Sequence, residues 1–206
     1  MNDAFDRTSL DSYKMGYAQA LSDALTAISS SELERVADKV VETTNNGGKI
    51  IVAGNGGSAA IAEHLCCDWT KGTACTGHPT IDTRSLTSNS ALYSAVANDF
   101  GFEYVFEKQI DFIGKPGDLL IAISSSGNSP NIINAAIRAR ELSIFVAGFT
   151  GFGGGKLRDL ADASIHVPIQ NYGIVEDGHQ AAMHVIAQYI AERRDAATQP
   201  QGQPAA

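Results

Sequence analysis

Cysteine, tryptophan and basic side chains are scarce in this chain. Its 206 residues include three cysteines, Cys66, Cys67 and Cys75. That odd number reads as reduced thiols, not a disulfide framework. Adjacent Cys66 and Cys67 lack the CxxC spacing of a zinc knuckle, so burial is the expected role. Lys and Arg number 15 against 23 Asp and Glu, a net charge of −8. A nucleic-acid surface needs clustered cations, so no nucleic-acid partner is expected. The N-terminus has no basic patch leading into an apolar stretch, so no secretory signal is read there. No apolar run approaches a membrane span, and no membrane partner is expected. A Gly-Lys-Ser/Thr sequence is also missing, which excludes a Walker loop. The expected setting is the cytoplasm.

What is present alternates between strand and helix signals. Residues 9–27 carry Leu10, Tyr13, Tyr17, Leu21 and Leu25 at helical spacing. Ser30 or Ser31 offers a cap for a second helix, with Glu34 at capping-box spacing from Ser31. Asn45 to Gly48 stops it. Short apolar runs at 50–53, 119–123, 144–148 and 164–167 read as buried strands, and 79–82 as a weaker one. Helices are expected over 58–69, 129–141 and 176–193. Continuous apolar strands separated by helices imply an α/β fold, a five-stranded parallel sheet covered on both faces. Residues 1–195 form one domain in this reading, with N-terminal helices over 9–46. The tail at 196–206, rich in Gln, Pro and Ala, is expected to be disordered.

Two strands end in unusual loops, where parallel sheets bind ligands. The second loop, Ser124-Ser125-Ser126-Gly127-Asn128-Ser129, packs four hydroxyls at a strand-to-helix junction. Hydroxyls and helix N-terminal N–H groups suit a phosphate without any lysine. Turn and cap chemistry alone could also explain those serines. The first loop, Gly54-Asn55-Gly56-Gly57-Ser58, partly matches a dinucleotide fingerprint. The acidic residue that should follow is missing, and Asp82 lies too far along. Glycines there allow backbone to approach a sugar.

A second constellation holds titratable groups. His64 and Asp68 share a helix face, as do Glu176, Gln180 and His184. Two histidines and two carboxylates could complete a Zn²⁺ site. Glu176 and His184 are about 12 Å apart along a regular helix, so sharing an ion requires inward-leaning side chains or a helix that starts after Glu176. Packed or solvated roles are open for each residue taken alone. His179 lies off that face and reads as structural; His78 and His166 have no evident partner. Asn98 and Asp99, in a loop-like stretch, could bind sugar hydroxyls or cap a helix.

Together these motifs resemble the sugar isomerase (SIS) domain family, and within it the phosphoheptose isomerases. The marks are GNGGS at 54–58, His64 four before an acid, ANDFGF at 97–102, ISSSGNS at 123–129, TGFGGGKL at 150–157 and the late His184. The resemblance spans residues 9–193. It implies a three-layer, flavodoxin-like fold and an aldose–ketose isomerase. The substrate pair would be sedoheptulose 7-phosphate and D-glycero-D-manno-heptose 7-phosphate, exchanged through an enediol. Asn55, Gly56, Gly57, Asn98, Asp99, Ser124, Ser125, Ser126, Ser129 and Glu176 would contact substrate. Asp68 and His184 would be catalytic. His64, Asp68, Glu176 and His184 would hold Zn²⁺. A homotetramer with active sites between subunits is also implied. Three positions depart from the family pattern: Asp68 replaces Glu, Glu176 replaces Gln, and Gly72 stands where an arginine is usual. A shorter carboxylate draws its oxygens back by about one methylene, which affects proton-transfer reach. The family also includes a replication-initiation regulator without catalytic residues, so a scaffold role is the alternative, and a sugar-phosphate-sensing domain without chemistry is a third option.

Overall fold

The structure, a computed structural model, describes residues 5–198. Two helices lead in, α1 (Leu10–Thr26) and α2 (Ser30–Asn45). Five strands follow: β1 (Ile50–Gly54), β2 (Thr83–Ser85), β3 (Leu119–Ser124), β4 (Phe145–Gly151) and β5 (Ala163–Val167). All pair in parallel, in the order β2-β1-β3-β4-β5. Between and after them run α3 (Gly57–Cys67), α4 (Ser90–Phe100), α5 (Val105–Ile113), α6 (Pro130–Glu141), α7 (Gly155–Leu160) and α8 (Tyr172–Thr198).

Strand alternation creates two cores. Ile50 and Val52 of β1, with Leu119, Ile121 and Ile123 of β3, face a cluster that includes Val36, Val40, Leu65, Trp69 and Ile186. Their neighbours Ile51, Ala53, Leu120 and Ala122 face Phe106, Ile110, Ile132 and Leu157. Because both faces are covered, these strands are apolar at every position and not at every second one. Truncating one such side chain, Ile121→Ala for example, costs about 2–5 kcal/mol by the usual cavity penalty.

Several local expectations are corrected. The weak strand at 79–82 is displaced: β2 is Thr83–Ser85, while Ile81 is buried beside it and Asp82 O accepts from Ile50 N. An edge strand pairs on one side only, so three partly exposed polar residues suffice and the apolar signal marks its lead-in. The cap of α2 is Ser29, which accepts from Glu32 N, in place of Ser30 or Ser31. Helix α3 stops at Cys67, and residues Asp68–Gly72 form a π-helical turn. The buried Trp69 holds that turn, its indole Nε1 donating to Met183 O at 3.0 Å. Asn98 and Asp99 lie in the last turn of α4, not in a loop. Helix α8 starts at Tyr172, before Glu176, and continues through Thr198. Residues 196–198 of the expected tail are therefore helical, and 199–206 lie outside the described residues.

Candidate active site

The β1 and β3 loops emerge side by side, because Gly54 pairs with Ile123 across the sheet. Ser124 is the last residue of β3 and is buried, as is Ser125. Ser124 Oγ lies 3.2 Å from Ser129 Oγ, and Ser126 Oγ accepts from Asn128 N at 3.2 Å. Ser129 occupies the cap position of α6 without using its hydroxyl as a cap, and Pro130 follows at the first helical position. The loop thus gathers four hydroxyls at the N-terminus of a helix, where dipole and N–H groups favour an anion.

Loop shape depends on a second turn behind it. Gly127 has φ 65, and a Cβ there would lie 1.8 Å from Gly154 O. Gly127 O accepts from Leu157 N at 2.9 Å, Asn128 Oδ1 accepts from Lys156 N at 3.1 Å, and Ser125 O accepts from Gly151 N at 2.8 Å. The serine loop and the Gly-rich stretch after β4 are one packed unit.

Helices α3 and α8 run alongside each other and bring the titratable residues together. His64 Nε2 and His184 Nε2 stand 3.3 and 3.1 Å from the same oxygen, Asp68 Oδ2. One ligand atom from each of these three residues lies within 4.8 Å of the others. The imidazoles meet edge to face at 5.0 Å. Gln180 sits between them, its Nε2 2.6 Å from His64 Nδ1 and 3.4 Å from His184 Nε2. A Gln180 N–H donated to Nδ1 puts the His64 ring proton on Nε2, facing Asp68. All three cluster side chains are about a third to a half exposed, so a ligand has access.

Glu176 is not part of that cluster. Two turns earlier on α8, its carboxylate covers Gly57: a Cβ on Gly57 would stand 2.6 Å from both Glu176 oxygens. With α8 helical from Tyr172, Glu176 and His184 keep the full eight-residue separation, and Glu176 faces the first loop instead. Helix α1 supports this end of α8. Tyr17 OH donates to Asp177 Oδ2 at 2.6 Å, and burial together with that bond pushes the phenol up to about 12.

Other residues separate by role. Asn55, Gly56 and Gly57 form the tight turn into α3, with Gly56 at φ 54. Asn98 and Asp99 are exposed, and Asn98 Nδ2 donates to Asp99 Oδ1 at 2.9 Å. His179 is fully buried, its Nε2–H donating to Thr150 O at 3.1 Å. Burial holds it neutral, down at about 4. His166 Nδ1 lies 3.0 Å from Thr150 Oγ1, a partner the sequence did not disclose. Gln180 was visible only as a member of the α8 stripe. Asn131, which bonds Asn55, gave no sequence signal at all.

No helix among the described residues is long and apolar enough to cross a membrane. The family model for the SIS domain matches residues 15–151. The probable phosphoheptose isomerase of Thermoplasma volcanium is 33% identical over 189 residues, covering 90% of this chain and 96% of its own length. The phosphoheptose isomerase of Aliarcobacter butzleri is 40% identical over 158 residues, covering 77% and 83%. Among solved structures, the phosphoheptose isomerase of Neisseria gonorrhoeae superposes with a TM-score of 0.81 at 30% identity, covering 89% of this chain and 97% of that one. A model match over most of the chain, together with relatives aligned along nearly their whole length, means that the chain belongs to the SIS domain family, among its phosphoheptose isomerases.

Proposed function

We propose that this protein is an aldose–ketose isomerase that interconverts sedoheptulose 7-phosphate and D-glycero-D-manno-heptose 7-phosphate. The observation that carries this reading is the convergence of His64 and His184 on one oxygen of Asp68, in a chain of this family. A regulator without chemistry would have no need of that arrangement.

The phosphate is assigned to Ser124, Ser125, Ser126 and Ser129, and the sugar to Asn55, Gly56 and Gly57, with Glu176 over the same turn. Isomerisation moves a proton between adjacent carbons through an enediol. Asp68 is assigned as the base. Its Oδ2 faces both imidazoles, which leaves Oδ1 to take the proton from the carbon next to the carbonyl. His184 is assigned the proton exchanged with the sugar oxygen, carried on Nδ1, since its Nε2 faces Asp68 Oδ2 in the cluster. The substitution of Asp for the family's Glu shortens this reach, so substrate must approach α3 more closely.

Two imidazole nitrogens and a carboxylate oxygen within 4.8 Å are a donor set that suits Zn²⁺. His64, Asp68 and His184 would hold the ion, which would polarise the substrate carbonyl and stabilise the enediolate. Coordination through His64 Nε2 requires its proton on Nδ1, where Gln180 would present its amide oxygen.

We further assign the protein to the cytoplasm, as a homotetramer with sites shared between subunits. Leu10, Met15, Val185 and Tyr189 supply exposed apolar surface on the α1 and α8 helices. Asn98 and Asp99, exposed and bonded to each other, would meet substrate from a neighbouring copy.

The test is turnover of sedoheptulose 7-phosphate by purified protein with Zn²⁺, followed in D₂O. Deuterium should appear at the carbon that receives the proton. Asp68→Asn and His184→Ala should each reduce turnover about a hundredfold or more, the usual contribution of an acid–base group. Absence of isomerase activity on every sugar phosphate tested overturns the proposal.

A further inference from the structure

Helix α6 begins beside the serine loop, and its first turn carries a polar side chain just beyond the serine-loop motif at 123–129. Asn131 is 1% exposed. Its Nδ2 donates to Asn55 Oδ1 at 2.9 Å, and Asn55 Nδ2 donates back to Asn131 Oδ1 at 2.9 Å. This closed amide pair joins positions 76 residues apart in sequence. It links the loop after β1 to the helix that follows the loop after β3.

Hydrogen-bond capacity shows what the pair does. A carboxamide has two N–H donors and two acceptor sites on its oxygen. The pair consumes one donor and one acceptor of each residue. Asn131 is enclosed, so what remains on it meets no ligand. Asn55 is only half-buried, so its second N–H and second lone pair are left to a ligand at the turn that begins α3. A lone Asn55 would rotate about its side-chain torsions. Paired, its carboxamide plane is fixed before a ligand arrives, and the ordering entropy is not charged to binding.

We infer that Asn131 is a positioning residue: through the amide pair it holds Asn55 towards the sugar and sets the distance between the sugar turn and the phosphate loop. This rests on the assignment of both loops to a sugar phosphate. The ligand class it serves is a hydroxylated chain bearing a phosphate several carbons from the group that Asn55 contacts. Inorganic phosphate, which reaches only the serine loop, gains nothing from the pair.

The test is a double-mutant cycle on the full chain, with Asn55→Ala, Asn131→Ala and the double variant. Affinities for sedoheptulose 7-phosphate and inorganic phosphate are measured by calorimetry, so the result does not depend on turnover. Asn131→Ala should weaken sedoheptulose 7-phosphate about tenfold, the size expected for a lost buried hydrogen bond, and leave inorganic phosphate unchanged. In the Asn55→Ala background the same substitution should have no further effect on sugar-phosphate affinity. Equal loss in both backgrounds, or equal loss for both ligands, overturns the inference. Should Asn131→Ala not fold, Asn131→Asp keeps the volume and one of the two bonds while opposing oxygen to oxygen across the other. It should reproduce the selective loss, and wild-type affinity for the sugar phosphate would overturn the inference. Selective loss without turnover in the wild type would sink the isomerase reading and keep the clamp. Wild-type protein that binds neither ligand sinks both.

Discussion

Replacing Gly127 by alanine should collapse the serine loop, and the structure sets the size of the effect. Gly127 has φ 65, where a side chain costs about 1–2 kcal/mol by steric conflict with the backbone. The new Cβ would also lie 1.8 Å from Gly154 O, a backbone atom of a turn that is itself hydrogen-bonded to this loop. Relief requires the two turns to part, which sacrifices Leu157 N to Gly127 O and Lys156 N to Asn128 Oδ1, at about 1 kcal/mol each. The total is roughly 3–4 kcal/mol, or a melting temperature lower by about 10 °C for a domain of this size. Gly153→Ala is the control. It lies in the adjoining Gly-rich stretch with no left-handed φ, and a methyl added there would meet no atom within 4 Å. Its melting temperature should stay within about 3 °C of wild type. Thermal denaturation and inorganic-phosphate binding are read on both variants. A Gly127→Ala protein that melts with the control and binds phosphate as wild type does would refute the packed-loop argument.

Further outcomes follow from the same geometry. Ser124→Ala and Ser126→Ala should each weaken sugar-phosphate binding by roughly 1–3 kcal/mol, with little change for an unphosphorylated sugar, measured by titration calorimetry. His179 is held neutral down to about 4, so between there and the ordinary value near 6.5 the unfolded chain binds the extra proton. Stability must then rise with pH across that window and fall on acidification, by up to about 3 kcal/mol. Denaturant melts of His179→Asn should show a shallower loss between pH 6.5 and 4.5 than wild type, and identical slopes would reject the assignment. Gly57→Ala drives a methyl to 2.6 Å from both Glu176 oxygens, and only the flexible carboxylate has to move. Its melting temperature should change little while kcat/KM falls about tenfold, and unchanged kinetics would remove Glu176 from the site.

Much of this protein is written along the chain. Apolar runs such as 119–123 mark strands buried on both faces, because a strand flanked by helices has no wet side. The density of hydroxyls at Ser124 to Ser129, directly after such a run, points to a phosphate loop without any knowledge of the third dimension. His64 and Asp68, four apart on one helix, likewise share a face by helical geometry alone. What only the tertiary structure decided is how separate elements meet. The edge strand β2 could not be placed from apolarity, since an edge needs little of it. Glu176 and His184 belong to one stripe of α8, yet the helix is continuous and its start lies earlier than the sequence suggested. Glu176 therefore covers Gly57, and Gln180 takes the place between the histidines. The Asn55–Asn131 pair had no local signature, because the two amides meet only once β1 and β3 lie side by side. Periodicity is a property of one element. Contact across elements depends on sheet order, and that is fixed by the packing of the whole domain.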